Sequence, residues 1–228
     1  EMCIRDRNNT ILKDQLNLMR VGEPMYVFYG YVEDGYDENG HIVYKNMDDD
    51  PAITAADKTI IGDPNPDFLV NLTTAVSYKG FTLSAFFQSS IGNDIYSLSM
   101  AAQAYDYGYN GNTLREVYYN HWTPENPTAK YPNLDQTSYK MSDRFVYDGS
   151  FVRLKNLELA YDVPCARNKF IKRARVYVSA QNLFTITSYP FWDPDINANG
   201  GGSSMIQGVD SYCYPSARTY TIGCRLTF

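Results

Sequence analysis

Phe68-Leu69-Val70-Asn71-Leu72-Thr73-Thr74-Ala75-Val76-Ser77-Tyr78-Lys79-Gly80-Phe81-Thr82-Leu83-Ser84-Ala85-Phe86-Phe87-Gln88 decides how the rest of the chain is read. In an extended backbone Phe68, Val70, Leu72, Thr74, Val76 and Tyr78 share one side, and Leu69, Asn71, Thr73, Ala75 and Ser77 the other. A period of two, with one apolar and one mostly polar face, is a β-strand between two environments. After Lys79-Gly80 the alternation resumes: Phe81, Leu83, Ala85 and Phe87 oppose Thr82, Ser84, Phe86 and Gln88. Two such runs joined by a short glycine turn predict a hairpin.

The same pattern recurs outward from this hairpin. Phe151–Val163 sets Leu157, Leu159 and Tyr161 against Asn156, Glu158 and Ala160. A basic turn over Pro164–Arg173 leads to a strand expected over Ala174–Ile186, and Arg218–Phe228 alternates to the end of the chain. One more strand is expected over Met25–Asp34, through Tyr26-Val27-Phe28-Tyr29-Gly30-Tyr31. The connections alternate short (Tyr78–Gly80, Pro164–Arg173) and long (Gly35–Pro66, Tyr105–Gly149, Thr187–Ala217). Loops beyond ~15 residues are unusual inside compact domains. Short turns at one end of the strands and long loops at the other are the habit of membrane β-barrels. A soluble sandwich shows turn signals every ~8–12 residues instead. Aromatics near strand ends (Tyr78, Phe81, Tyr161, Phe228) suit the interfacial girdles of such a barrel, or a sandwich core. The expected fold class is therefore all-β: C-terminal strands of a transmembrane antiparallel barrel, incomplete in this chain.

Composition agrees. Charged residues are 20% of the 228, the net charge is −6, and 21 tyrosines lift the aromatics to 15%. An acidic chain without a Lys/Arg run argues against nucleic acid as a partner. No apolar run approaches the ~18 residues of a membrane helix. Cys3, Cys165, Cys213 and Cys224 lack metal-ligand spacing, which leaves free thiols or a Cys213–Cys224 disulfide. No phosphate loop, nucleophile elbow or Cys–His signature is present, so the chain is not expected to be an enzyme. Glu1–Arg7 has no apolar signal region. A nucleotide string that would encode it resembles a transposase adapter used in sequencing libraries, so residues 1–7 are expected to be an artefact and 8–228 the protein.

Thr221-x-Gly223-x-x-Leu226-x-Phe228 resembles the terminal-strand signal by which the outer-membrane assembly machinery recognises barrels. Gly62-Asp63-Pro64-Asn65-Pro66-Asp67-Phe68 is more specific. With Val21-Gly22-Glu23-Pro24, Gly92-Asn93-Asp94-Ile95-Tyr96 and Ser150-Phe151-Val152-Arg153-Leu154-Lys155-Asn156 it resembles the SusC/RagA family of TonB-linked outer-membrane transporters of Bacteroidetes. Tyr177-Val178-Ser179-Ala180-Gln181-Asn182-Leu183-Phe184, Asp193-Pro194-Asp195 and Tyr214-Pro215-Ser216-Ala217-Arg218 continue the resemblance in the family's order. The resemblance implies a multi-pass outer-membrane barrel in contact with lipid. It also implies import of oligosaccharides or peptides under a SusD-like lipoprotein. TonB would act through an N-terminal box and plug that this chain does not carry. Family barrels are of the 22-stranded plugged class, against roughly six strands here.

Two candidate sites stand out. Asn46, Asp48, Asp50, Thr54 and Asp57 place oxygens at the first, third, fifth, ninth and twelfth positions of a calcium-type loop. Pro51 stands where that loop wants glycine, and Asp57 is shorter than the usual bidentate Glu, so a plain acidic loop is the competing reading. Tyr189, Phe191, Trp192 and Asp193 combine ring faces with a carboxylate, as a sugar site would; a loop packed on its neighbours or on the lipoprotein is the competing reading. His121-Trp122-Thr123-Pro124 reads as a second, structural aromatic patch. A soluble β-sandwich carbohydrate-binding module and a secreted enzyme remain open as alternatives.

Overall fold

A computed structural model describes residues 10–13, 16–105, 112–136, 138–164, 170–196 and 206–228. The expected adapter segment Glu1–Arg7, with Cys3, and Cys165 in the basic turn lie outside these residues. In chain order the strands are β1 (Thr10–Lys13), β2 (Asn17–Arg20), β3 (Val27–Gly30), β4 (Glu33–Tyr36), β5 (Ile42–Tyr44), β6 (Thr59–Gly62), β7 (Phe68–Tyr78) and β8 (Phe81–Ile91). They continue with β9 (Asp94–Ser97), β10 (Val146–Asp148), β11 (Phe151–Val163), β12 (Arg173–Gln181), β13 (Thr185–Thr187), β14 (Val209–Asp210) and β15 (Thr219–Thr227). Among the described residues two α-helices, α1 (Leu98–Tyr105) and α2 (Arg115–Tyr119), lie between β9 and β10. The chain divides into two compact units. A sheet unit holds Pro66–Gly92, Gly149–Asp195 and Tyr214–Phe228; a loop unit holds the remainder.

The sheet unit is one antiparallel sheet in the order β15-β12-β11-β8-β7, with β13 also paired to β11. Directly paired residues in an antiparallel ladder point to the same face, so the register carries the sequence alternation across the whole sheet. Val76, Leu83, Leu159, Val178 and Ile222 form one row; Tyr78, Phe81, Tyr161, Val176 and Cys224 form the next. On the opposite face the rows read Ala75, Ser84, Glu158, Ser179, Thr221 and Ser77, Thr82, Ala160, Tyr177, Gly223. A sandwich would bury its apolar face. Here Val76, Leu159, Val178 and Ile222 are 65%, 49%, 53% and 84% exposed. Strands of 11, 11 and 13 residues (β7, β8, β11) are long enough to cross a bilayer at a barrel's tilt. The expected barrel-wall fold is borne out over the sandwich, as an open sheet edged by β7 and β15.

The β7–β8 turn places both central residues at positive φ, Lys79 at 47° and Gly80 at 86°. That is the two-residue turn whose twist matches the flanking strands. In the terminal signal, a Cβ on Gly223 would lie 2.5 Å from Cζ and Oη of Tyr177, so the glycine lets that ring lie flat across β15. The strand expected over Ala174–Ile186 is interrupted. Asn182 adopts φ 51° and donates its N–H to the Lys155 carbonyl, Leu183 donates to Leu154, and pairing with β11 resumes at β13. Asparagine tolerates this conformation, and β11 shifts register between Leu154 and Asn156. Met25–Asp34 is not one strand either. At Tyr31 the chain changes partners, its N–H going to the Met141 carbonyl, which separates β3 from the β4–β5 hairpin.

The loop unit joins the expected strand region over Met25–Asp34 to segments that read as loops, and it has a core of its own. Phe28, Tyr96 and Phe145 are fully buried, with ring centroids 5.8 Å and 6.0 Å apart along the series. Ala101 and Ala104 of α1, Val117 of α2 and Val209 of β14 close round them. Cys213 and Cys224 are free thiols.

Candidate functional site

Tyr189 and Asp193 are buried, 5% and 6% exposed. Asp193 is held by Arg153, a buried residue of β11. One guanidinium nitrogen pairs with Asp193 Oδ1, and Nη1 reaches Asp195 Oδ2 and Ser216 Oγ, both at 3.3 Å. Nε donates to Thr185 Oγ1 at 2.9 Å, and the group lies over the Phe151 ring. The backbone N–H groups of Ser216 and Asp195 also donate to Asp193, each at 2.9 Å. Burial pushes the Asp193 carboxyl up, but those two N–H groups and the guanidinium outweigh it and hold it below the usual carboxylate range. Both Asp193 oxygens are therefore engaged. Between these buried positions Phe191 and Trp192 stack, centroids 5.0 Å apart and planes 21° from parallel, with Trp192 57% exposed.

Sequence reasoning found the aromatic segment and missed Arg153. Its partners lie 40, 42 and 63 positions away. The available signal was that Arg153, Asp193-Pro194-Asp195 and Ser216 all fall in the family-resembling stretches; the structure shows they meet at one guanidinium.

The residues of the candidate calcium loop come together, but on backbone groups. Asn46 Oδ1 accepts from Asp48 N–H at 3.1 Å, Asp48 Oδ1 from Asp50 N–H at 2.9 Å, and Asp50 Oδ1 from Ala52 N–H at 3.0 Å. Thr54 caps the short helical turn Ala55–Asp57 through its hydroxyl. Asp57 is fully buried, and its two oxygens accept from Met47 and Thr54 N–H, both at 2.7 Å. The N–H of Met47, then that of Thr54, holds the Asp57 carboxyl below the usual range. Lys140 donates to the Ile53 carbonyl at 3.0 Å, with its ammonium over the Tyr31 ring. Among the described residues no three acidic, histidine or cysteine side chains gather as a metal cage. Both oxygens of the loop's twelfth position are thus turned to backbone amides.

The loop unit contains an open cavity of about 350 Å³ lined by Glu33, Lys130, Tyr131, Asp143, Arg144 and Tyr147. Its cations are already matched. Arg144 Nε donates to both Glu33 oxygens, at 2.7 and 2.6 Å, and Lys130 pairs with Glu116 at 2.7 Å. Trp122 of the second aromatic patch packs against Gly40, and His121 Nδ1 lies 2.7 Å from the Tyr118 carbonyl, so that patch is structural.

The comparisons agree with the sheet. The chain is 32% identical over 238 residues to TonB-dependent receptor P3 of Formosa agariphila, across 95% of this chain and 23% of that receptor. It is 29% identical to TonB-dependent receptor SusC of Bacteroides thetaiotaomicron, across 97% of this chain and 21% of SusC. The solved structure of the RagAB peptide importer in its open-open state superposes with a TM-score of 0.80 at 26% identity, over 95% of this chain and 24% of that one. This chain belongs to the SusC/RagA family of TonB-dependent receptors. It spans less than a quarter of the length of each of these SusC/RagA relatives. No protein-family model matches it.

Proposed function

We propose that this chain forms part of the barrel wall of an outer-membrane receptor that imports a large nutrient. Energy would come from TonB, and a SusD-like surface lipoprotein would present the substrate. The observation that carries this reading is the mostly apolar face across five strands, backed by a polar face with its own ion pairs (Arg175 with Glu158 and Asp162). Lipid on one side and a wet lumen on the other require that division. No step of catalysis is assigned to the chain. The test is made on the whole receptor in its own bacterium. The receptor should fractionate with the outer membrane, need detergent for extraction and support growth on one polymeric nutrient only when TonB is intact. Recovery in the soluble fraction, or growth indifferent to deletion of the receptor, would overturn the proposal.

In the same reading the acidic loop over residues 46–57 closes on itself and takes no cation. Calorimetry should give no heat at millimolar calcium. A carboxylate whose folded pKa is depressed stabilises the fold above its unfolded value, near 4. That contribution is lost only as pH falls through the lower folded value. Amide exchange at Met47 and Thr54 should therefore stay protected from pH 7 to 5 once intrinsic rates are corrected, and lose protection below about pH 4. Asp57→Asn leaves one acceptor oxygen for two N–H groups and should unprotect one of them at pH 7. Wild-type exchange in the variant would remove the clasp from the account.

A further inference from the structure

On the polar face of the sheet one row runs from Asp162 of β11 to Arg175 of β12 and Arg225 of β15, each directly opposite the next. Arg175 already holds two carboxylates, Glu158 at 3.5 Å and Asp162 at 3.4 Å. Among the described residues none pairs with Arg225, which faces a like charge instead, an unfavourable arrangement for side chains directly opposite each other. Arg173, on the same face opposite Thr227, adds another guanidinium. In the adjoining row the Tyr177 ring reaches from β12 across Gly223 and sets its hydroxyl over β15. Because β15 is an edge of the sheet, the guanidinium and the hydroxyl are donors presented beside an unpaired strand.

Unpaired backbone groups along an edge are not tolerated in lipid, and a barrel removes them by closure. The edges β7 and β15 cannot close on each other, since the smallest such barrels have about eight strands. On an antiparallel neighbour of β15 the residue opposite Arg225 has its Cβ about 4.5–5.5 Å away and points to the same face. A body in the lumen has no such register with β15. A cation at that position would set three positive charges side by side, whereas a carboxylate completes the row as negative, positive, positive, negative. Resting on the barrel-wall reading above, we propose that the strand closing onto β15, a part of the receptor outside residues 1–228, carries an Asp or Glu directly opposite Arg225 on the lumen side of the wall.

The test uses the whole receptor, purified in detergent from outer membranes. A water-soluble carbodiimide joins an amine to a carboxylate in contact with it and leaves arginine unchanged. Arg225→Lys should therefore gain a zero-length cross-link, read by mass spectrometry after digestion, from position 225 to an Asp or Glu on a strand outside residues 1–228. Wild type should lack it. Arg225→Glu sets like charges face to face and should lower the temperature at which the folded band is lost on gels. Exchanging the cross-linked acid for Arg in the same receptor should raise that temperature again. Independently of any variant, density for the wild-type receptor should place the carboxylate within about 4 Å of the Arg225 guanidinium. A cross-link to Glu158 or Asp162 alone, to a plug carboxylate in the lumen or to nothing would overturn the proposal, as would a charge exchange that restores no stability. Outer-membrane fractionation is scored separately. A membrane-borne receptor without the cross-link removes this pairing alone, whereas recovery in the soluble fraction removes the barrel wall and the closing strand with it.

Discussion

Arg153→Met should cost about 3–5 kcal/mol of folding stability, the range for breaking a buried ion pair from one side. Most of that cost lies in what is left behind. The Arg153 side chain is 2% exposed and that of Asp193 is 7% exposed, so the substitution strands a carboxylate that water cannot reach. Thr185 and Ser216 lose their partner as well. Arg153→Lys keeps the charge but not the fork that serves Asp193, Asp195, Ser216 and Thr185 together, and should fall between. The decisive comparison is the double variant Arg153→Met/Asp193→Leu. If the penalty is the stranded charge, the double variant is more stable than Arg153→Met alone, because apolar groups replace both partners. Urea unfolding of the refolded receptor in lipid vesicles reads all three, and limited proteolysis between residues 188 and 196 reports whether the segment has come loose. A midpoint for Arg153→Met equal to wild type would mean the network holds nothing.

What could be read from one sequence, and what could not, follows from where each residue finds its environment. The long strands were legible because lipid and lumen impose opposite polarity on successive residues, so Phe68–Tyr78 and Phe151–Val163 carry their own description. The break at Asn182 was not, because Gln181-Asn182-Leu183-Phe184 goes on looking like a strand while the backbone turns left-handed. Tyr26–Tyr31 misled for a different reason. Its aromatic density belongs to the core shared by Phe28, Tyr96 and Phe145, three residues from three distant segments whose meeting leaves no periodic trace. The calcium-type loop shows a third limit. Asn and Asp at alternate positions serve metal ligation and backbone turns equally well, and only the direction of the Asp57 carboxylate separates them. At the aromatic segment the rings were visible, but not that Asp193 would be spent on an arginine 40 positions away.

A charge introduced on the apolar face of β11 should cost most at mid-strand and least at the turn end. Leu157 lies between Ala85 and Ala180, four residues in from the aromatic row of Tyr78, Phe81 and Tyr161. Val163 faces the same way two residues beyond that row. If the row marks the interface, a rise of about 3.3 Å per residue along a tilted strand puts Leu157 deep in hydrocarbon and Val163 near the headgroups. Leu157→Arg should then cost about 2–4 kcal/mol and Val163→Arg about 0–1 kcal/mol. Ser179→Arg supplies the control, because it pairs with Glu158 on the polar face and puts a cation beside a carboxylate in water, where the gain or loss is small. The three variants, unfolded in the same vesicles, test the orientation of the sheet and its depth together. A sandwich core would penalise any buried charge without regard to distance from the aromatic row, and a wetted face would penalise none. Only lipid gives a gradient along one face of one strand and silence on the other, so equal costs at Leu157 and Val163 would remove the barrel wall as the explanation for this alternation.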